Sequence, residues 1–115
     1  MNHIRFESDT SSMIYPAEDV PGQWIAHCLD FGVVTQGNDP VHAAYMLLDA
    51  LTLVLSDDVL SGKNPHRRRA SAEEWAEFEA LKKKATRRAP LDNFRKAKRG
   101  RFVMHTTVRV GGESS

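Results

Sequence analysis

At 115 residues, with 41% hydrophobic and 27% charged content, the chain has the size and make-up of one globular domain with a modest core. No apolar run approaches the roughly 20 residues that cross a bilayer, and the single cysteine, Cys28, excludes an internal disulfide framework. The net charge of +1 hides a division: residues 1–65 hold two bases against nine acids (−7), and residues 66–101 hold thirteen bases against five acids (+8).

In chain order, "SSMIYPAE" reads as a first strand, with Pro16 near an edge or strand end. Pro21-Gly22 then fills the centre of a turn, where Pro fixes φ and Gly supplies the positive φ of a type II turn. "QWIAHCL" is the returning strand, with Trp24, Ala26 and Cys28 on one face and Ile25, His27 and Leu29 on the other. After "DFG", the stretch "VVTQG" reads as a third strand and completes an antiparallel meander. Asp39 as N-cap and Pro40 at the first helical position open a helix. Its apolar positions form one stripe at 41, 44, 45, 48, 51 and 55 and most of a second at 43, 46, 47, 50, 53 and 54. Such a helix, apolar almost all round, needs cover on more than one flank.

"SDDVLSGKNPHRRR" reads as the helix end and a loop, broken by Gly62 and Pro65, with Asp57-Asp58 as a solvated terminus. "SAEE" is a capping box opening a second helix at Ser71, whose stripe is Trp75, Phe78, Leu81 and Ala85. "RFVMHTTVRV" closes the chain as a strand with Phe102, Met104, Thr106, Val108 and Val110 on one face. The expectation is a single α+β domain, an antiparallel β-β-β-α-(α)-β sheet backed by one long helix. Residues 12–56 supply the β-β-β-α core, 57–70 a basic loop, 71–88 the second helix, 89–100 a loop and 101–110 the last strand. Trp24, Ala26, Cys28, Val34, Ala44, Leu48, Leu51 and Leu55 are the expected core. Leu47, Ala50, Leu53 and Val54 are expected to receive the second helix or to form a dimer seam, and a homodimer is expected in addition.

The segment "YPAEDVPGQWIAHCLDFGVVTQGNDPVHAAYMLLDAL", residues 15–51, resembles the HicB family of antitoxins. The likeness rests on Tyr15, Pro16, Trp24, Asp30, Gly32, Thr35, Gln36, Gly37, Ala43 and Ala44 in that order and spacing, over about a third of the chain. It implies a partly degenerate ribonuclease-H-like domain that is not an enzyme. Such a domain binds and masks HicA, a small mRNA interferase, or stands alone as a solitary relative without a toxin. The sequence departs from the family where "LDFG" lacks the usual Pro-x-Leu-Pro-Gly run. It departs again in the C-terminal half, which is neither a ribbon-helix-helix nor a clear helix-turn-helix.

For chemistry, His27 and Cys28 are neighbours on a strand and so face opposite ways, which a nucleophile–base dyad cannot tolerate. His3, His27, His42, His66 and His105 show no metal-pair spacing, and Glu18, Asp19, Asp30 and Asp49 are not gathered by theirs. No phosphate loop or dinucleotide fingerprint is present, so neither a cofactor nor a metal is expected. The basic segments are the best binding candidates. Arg67, Arg68, Arg69, Lys82, Lys83, Lys84, Arg87 and Arg88 would meet an acidic partner, or contact nucleic acid through phosphates rather than base edges. That second role makes a nucleic-acid-binding regulator the alternative to the antitoxin. "MNHIRFESDTSS" has no basic-then-apolar leader pattern, and with one thiol the expected location is the cytoplasm, with no membrane partner.

Overall fold

The computed structural model describes residues 5–83, 87–88, 94–96 and 100–111. The strands are β1 (Arg5–Pro16), β2 (Trp24–Cys28), β3 (Val33–Gly37), β4 (Arg87–Arg88), β5 (Phe94–Lys96) and β6 (Phe102–Gly111). The helices are α1 (Pro40–Leu60) and α2 (Ala72–Lys83), with a single 3-10 turn at Pro65–Arg68 between them. All strand pairs are antiparallel, in the order β3-β2-β1-β6-β5-β4, so the first and last long strands meet at the middle of the sheet.

The alternation of β1 explains how one sheet serves two helices. Ser12 lies between Cys28 and Met104, and Met13 between His27 and Val103. The first row faces α1. There Ile14, Ala26, Cys28, Phe31, Val33, Met104, Val108 and Val110 pack with Ala43, Ala44, Leu47, Leu51 and Leu55. The second row faces α2, where Met13, Leu29 and Val103 enclose Phe78, with Tyr15, Ala70, Trp75 and Leu81 around them. The sheet is therefore covered by one helix on each face.

The helix starts obey local rules. Asp39 accepts a bond from the His42 N–H at 2.7 Å, and Pro40 occupies the first turn. At Gly37 a Cβ would collide with the backbone of Ala43, so only glycine lets the end of β3 pass under the helix. Thr35 Oγ1 donates to the Ala43 carbonyl at 3.1 Å, and Ala43 and Ala44 are fully buried. Their small side chains allow that close approach. At α2, the Glu74 N–H donates to Ser71 Oγ and the Ser71 N–H donates back to Glu74 Oε1, both at 3.2 Å, completing the capping box.

Several expectations are corrected. β1 begins at Arg5, because the polar half of the strand is held by β6 along its whole length. Thr10 Oγ1 donates to the Thr106 carbonyl there. α1 runs on through Ser56-Asp57-Asp58 to Leu60, and Asp58 is buried rather than solvated. The 57–70 stretch thus holds the helix end and a 3-10 turn rather than a plain loop. α2 is described from Ala72 to Lys83; Arg87–Arg88, expected in that helix, and Phe94–Lys96, expected in a loop, form strands instead. Lys84 lies outside the described residues.

Val34, expected in the core, is 55% exposed, because the pairing of Cys28 with Val33 turns Val33, Thr35 and Gly37 toward α1. Most consequentially, α2 does not lie beside α1, since Trp75, Phe78 and Leu81 bury themselves on the opposite face of the sheet.

The two sides of α1 give a direct check. Leu51→Ala, at a fully buried position, is expected to cost about 3 kcal/mol in denaturant titration. Leu53→Ala, at a position 73% exposed, should change stability by less than about 0.5 kcal/mol.

Candidate functional site

Three places in the fold gather the residues that carry charge or unsatisfied apolar surface. The first is the end of α1. Asp58, with a side chain only 3% exposed, accepts from Arg67 Nη2 at 2.8 Å and from Arg68 Nη2 at 2.7 Å. Arg67 Nη1 also donates to the Asn64 carbonyl, and Arg68 Nε donates to the Phe31 carbonyl. At Gly32, φ is +64°, and a Cβ would run into the Arg68 backbone, so the β2–β3 turn is pressed against this segment. The neighbouring Arg69 lies 4.2 Å above the Trp75 ring, with Nη1 3.9 Å from Asp30. All three arginines singled out as phosphate contacts are thus engaged within the chain. Hydrogen bonding from Arg67, opposed by burial and helped by Arg68, holds the Asp58 carboxyl below the usual range.

The remaining basic candidates do not converge with them. Lys82 and Lys83 are exposed at the last turn of α2, where their charge suits the helix dipole. Arg87 and Arg88 pair through their backbones with Lys96 and Arg95; their side chains lie outside the described residues.

The second place is a cleft of about 360 Å³ beside the first turns of α2, walled by Tyr15, Glu18, His27, Glu74, Glu77 and Arg101. Glu77 accepts from Arg101 Nη1 at 2.6 Å, and the Arg101 guanidinium lies 5.6 Å from the Tyr15 ring centre. His27 Nδ1 is 3.6 Å from Glu74 Oε2. Burial lowers the His27 pKa against the pull of Glu74, while hydrogen bonding from the Ser71 backbone N–H leads in lowering that of Glu74. Burial, followed by the charge of Glu77, raises the Tyr15 hydroxyl. A neutral imidazole beside a carboxylate can accept a proton, yet the adjacent thiol is on the other face of the sheet. Cys28 is fully buried beneath α1, and burial pushes its thiol up to about 11. The arrangement ties the first turn of α2 to β2.

The other ionisable candidates also serve the fold. Asp30 Oδ1 accepts from the Ser11 N–H at 2.6 Å, and Asp39 caps α1. His42 Nδ1 accepts from the Asn38 N–H, and His66 packs against the rings of both Phe6 and Phe31, which also meet each other. His105 lies 3.4 Å from Ser11 Oγ and edge-on to Phe78. His3 lies outside the described residues. Among the described residues no three His, Cys, Asp or Glu side chains stand close enough to hold a metal ion.

The third place is the outer face of α1. Tyr45 is 53% exposed, Met46 43%, Leu53 73% and Leu60 75%. Of the four residues expected to form a seam, Leu53 alone stands clear of the protein. Ala50 and Val54 are partly buried, and Leu47 is completely buried against the sheet. Tyr45, Met46 and Leu60 were absent from that expectation. The recurrence of Met46, Leu53 and Leu60 every seven residues is the signal that marks them.

No family model matches the chain, and no curated protein or solved structure matches it either.

Removing the carboxylate that orders the arginines tests the first place. Breaking a fully buried ion pair costs roughly 3–5 kcal/mol. Because Arg67 and Arg68 are 39% and 32% exposed, Asp58→Asn is expected to cost about 2 kcal/mol at pH 7. A depressed carboxylate stabilises fully above its unfolded pKa near 4 and loses that contribution as pH falls through the lower folded value. The stability gap between wild type and variant should therefore be constant from neutral pH down to about 4 and close below it.

Proposed function

We propose that the chain is a HicB-like antitoxin-type protein, or a solitary relative, that acts in the cytoplasm without catalysis by holding a protein partner, of which a HicA-like mRNA interferase is the leading candidate. One observation carries the reading most: the long helix of the β-β-β-α core presents Tyr45, Met46, Leu53 and Leu60 to solvent. Exposed apolar surface of this kind on a small domain marks a place where another molecule docks.

Several of the residues behind the family likeness support the same reading, because they help build that helix platform. Gly37 and the Ala43-Ala44 pair let the helix approach the sheet, and Gly32 admits the segment that locks the helix end. The internal engagement of Arg67, Arg68 and Arg69 weighs against the alternative of a nucleic-acid regulator working through that cluster.

The test is co-expression of the tagged chain with the product of its adjacent reading frame. The expected result is a stoichiometric complex and relief of any growth arrest caused by the partner alone. A chain that purifies as a monomer and retains nothing overturns the proposal.

A further inference from the structure

Met46, Leu53 and Leu60 step by seven residues, so each is displaced by only about 20° around the helix from the one before. They make a nearly straight apolar stripe roughly 21 Å long on the solvent side of α1. Asp49 and Asp57 are both exposed, four residues before and four after Leu53. Four residues turn the helix by about 40° past a full turn, so one acid stands on each side of the stripe. Between Pro40 and Leu60 there is no lysine or arginine, and the third acid, Asp58, is buried with its own arginines.

This charge layout selects the occupant. A second copy could lie on the same ridge in the parallel or the antiparallel sense, its own Asp49 and Asp57 falling on the two flanks of the seam. Either pairing brings four carboxylates to the seam and no base from the helix, which is unfavourable.

We infer that the outer face of α1 docks an amphipathic helix of a partner protein whose apolar ridge, repeating every seven residues, seats on Met46, Leu53 and Leu60 and whose flanking lysines or arginines meet Asp49 and Asp57. The inference rests on the partner-binding reading and gives that partner its chemistry. The hydrophobic ridge supplies the attraction, and the two acids fix orientation and exclude acidic competitors. Tyr45, also exposed, lies about 100° around the helix from Met46, beyond Asp49.

The experiment uses the full chain and two designed helical peptides with the same leucine ridge, one flanked by lysines and the other by glutamates. The lysine peptide is expected to bind and the glutamate peptide to bind at least about fivefold more weakly, a gap that narrows in high salt. Leu53→Asp should weaken the lysine peptide about tenfold or more. The double variant Asp49→Lys/Asp57→Lys should invert the preference, so that the glutamate peptide binds better. Both variants lie on the exposed face, and their unfolding curves check that the fold is kept.

Equal affinity for the two peptides, failure of both to bind, or no inversion in the double variant overturns the inference. So does a homodimer in sedimentation that Leu53→Asp converts to monomer, which would make the occupant a second copy. The two levels separate cleanly. An adjacent gene product that still binds the Leu53→Asp chain at full strength removes the inference and leaves the partner-binding reading. Peptide binding with inversion but no captured partner removes the adjacent gene product as the occupant and leaves the helix-docking inference.

Discussion

A flat sheet can bury only one sector of a helix laid across it, and the rest of this molecule follows from that constraint. α1 is long and apolar around most of its circumference, and the sheet takes the sector of Ala43, Ala44, Leu47, Leu51 and Leu55. Each fully buried leucine there contributes about 2 kcal/mol, so this is the sector that positions the helix. α2 carries apolar side chains that could have covered more of α1. Its Phe78 goes instead to the pocket made by Met13, Leu29 and Val103 on the other side of the sheet. That placement leaves Met46, Leu53 and Leu60 facing water and makes α1 both the backbone of the core and an exposed apolar surface.

The charge division has a second meaning beside that geometry. Much of the positive charge just after residue 65 is spent inside the molecule. Arg67 and Arg68 neutralise Asp58 at the end of α1, and Arg69 stacks on Trp75 while approaching Asp30. This segment links the end of α1 to the start of α2 and passes from one face of the sheet to the other. The Ala70 N–H donates to the Leu29 carbonyl at 2.8 Å as it crosses. Without the Asp58 clamp, the helix end, the β2–β3 turn and the entry to α2 would lose their common anchor.

The sequence made much of this legible. Period-two alternation put Trp24, Ala26 and Cys28 on the face that meets α1, and Phe102 to Val110 fall as the alternation demands. The Asp39-Pro40 and Ser71–Glu74 signals located both helix starts, because capping depends on residues within one turn of each other. What was hidden depends on partners far along the chain. The polar half of β1 contains few residues that favour a strand, and it is ordered by β6 nearly a hundred residues later. Asp58 looked like a solvated helix end because its arginines come nine and ten residues on, beyond a turn. The face that α2 chooses is set by sheet register, which the helix's own pattern does not contain. At the candidate surface, the excess of apolar residues on α1 is plain in the sequence, and Leu53, one of those named, is exposed. Leu47 was misplaced because two stripes on one helix cannot be ranked without knowing which one the sheet takes.

The account turns on one sector of α1 being buried while the other is open in the isolated chain. Single cysteines at positions 51 and 53, introduced as Leu51→Cys and Leu53→Cys, read this directly through their reaction rates with a soluble thiol reagent. The native thiol of Cys28 is buried and its pKa is pushed up to about 11, so it supplies little background. The account predicts that the thiol at 53 reacts at nearly the rate of a free peptide while that at 51 is protected until the protein unfolds. Equal protection of both thiols in the monomer would contradict it.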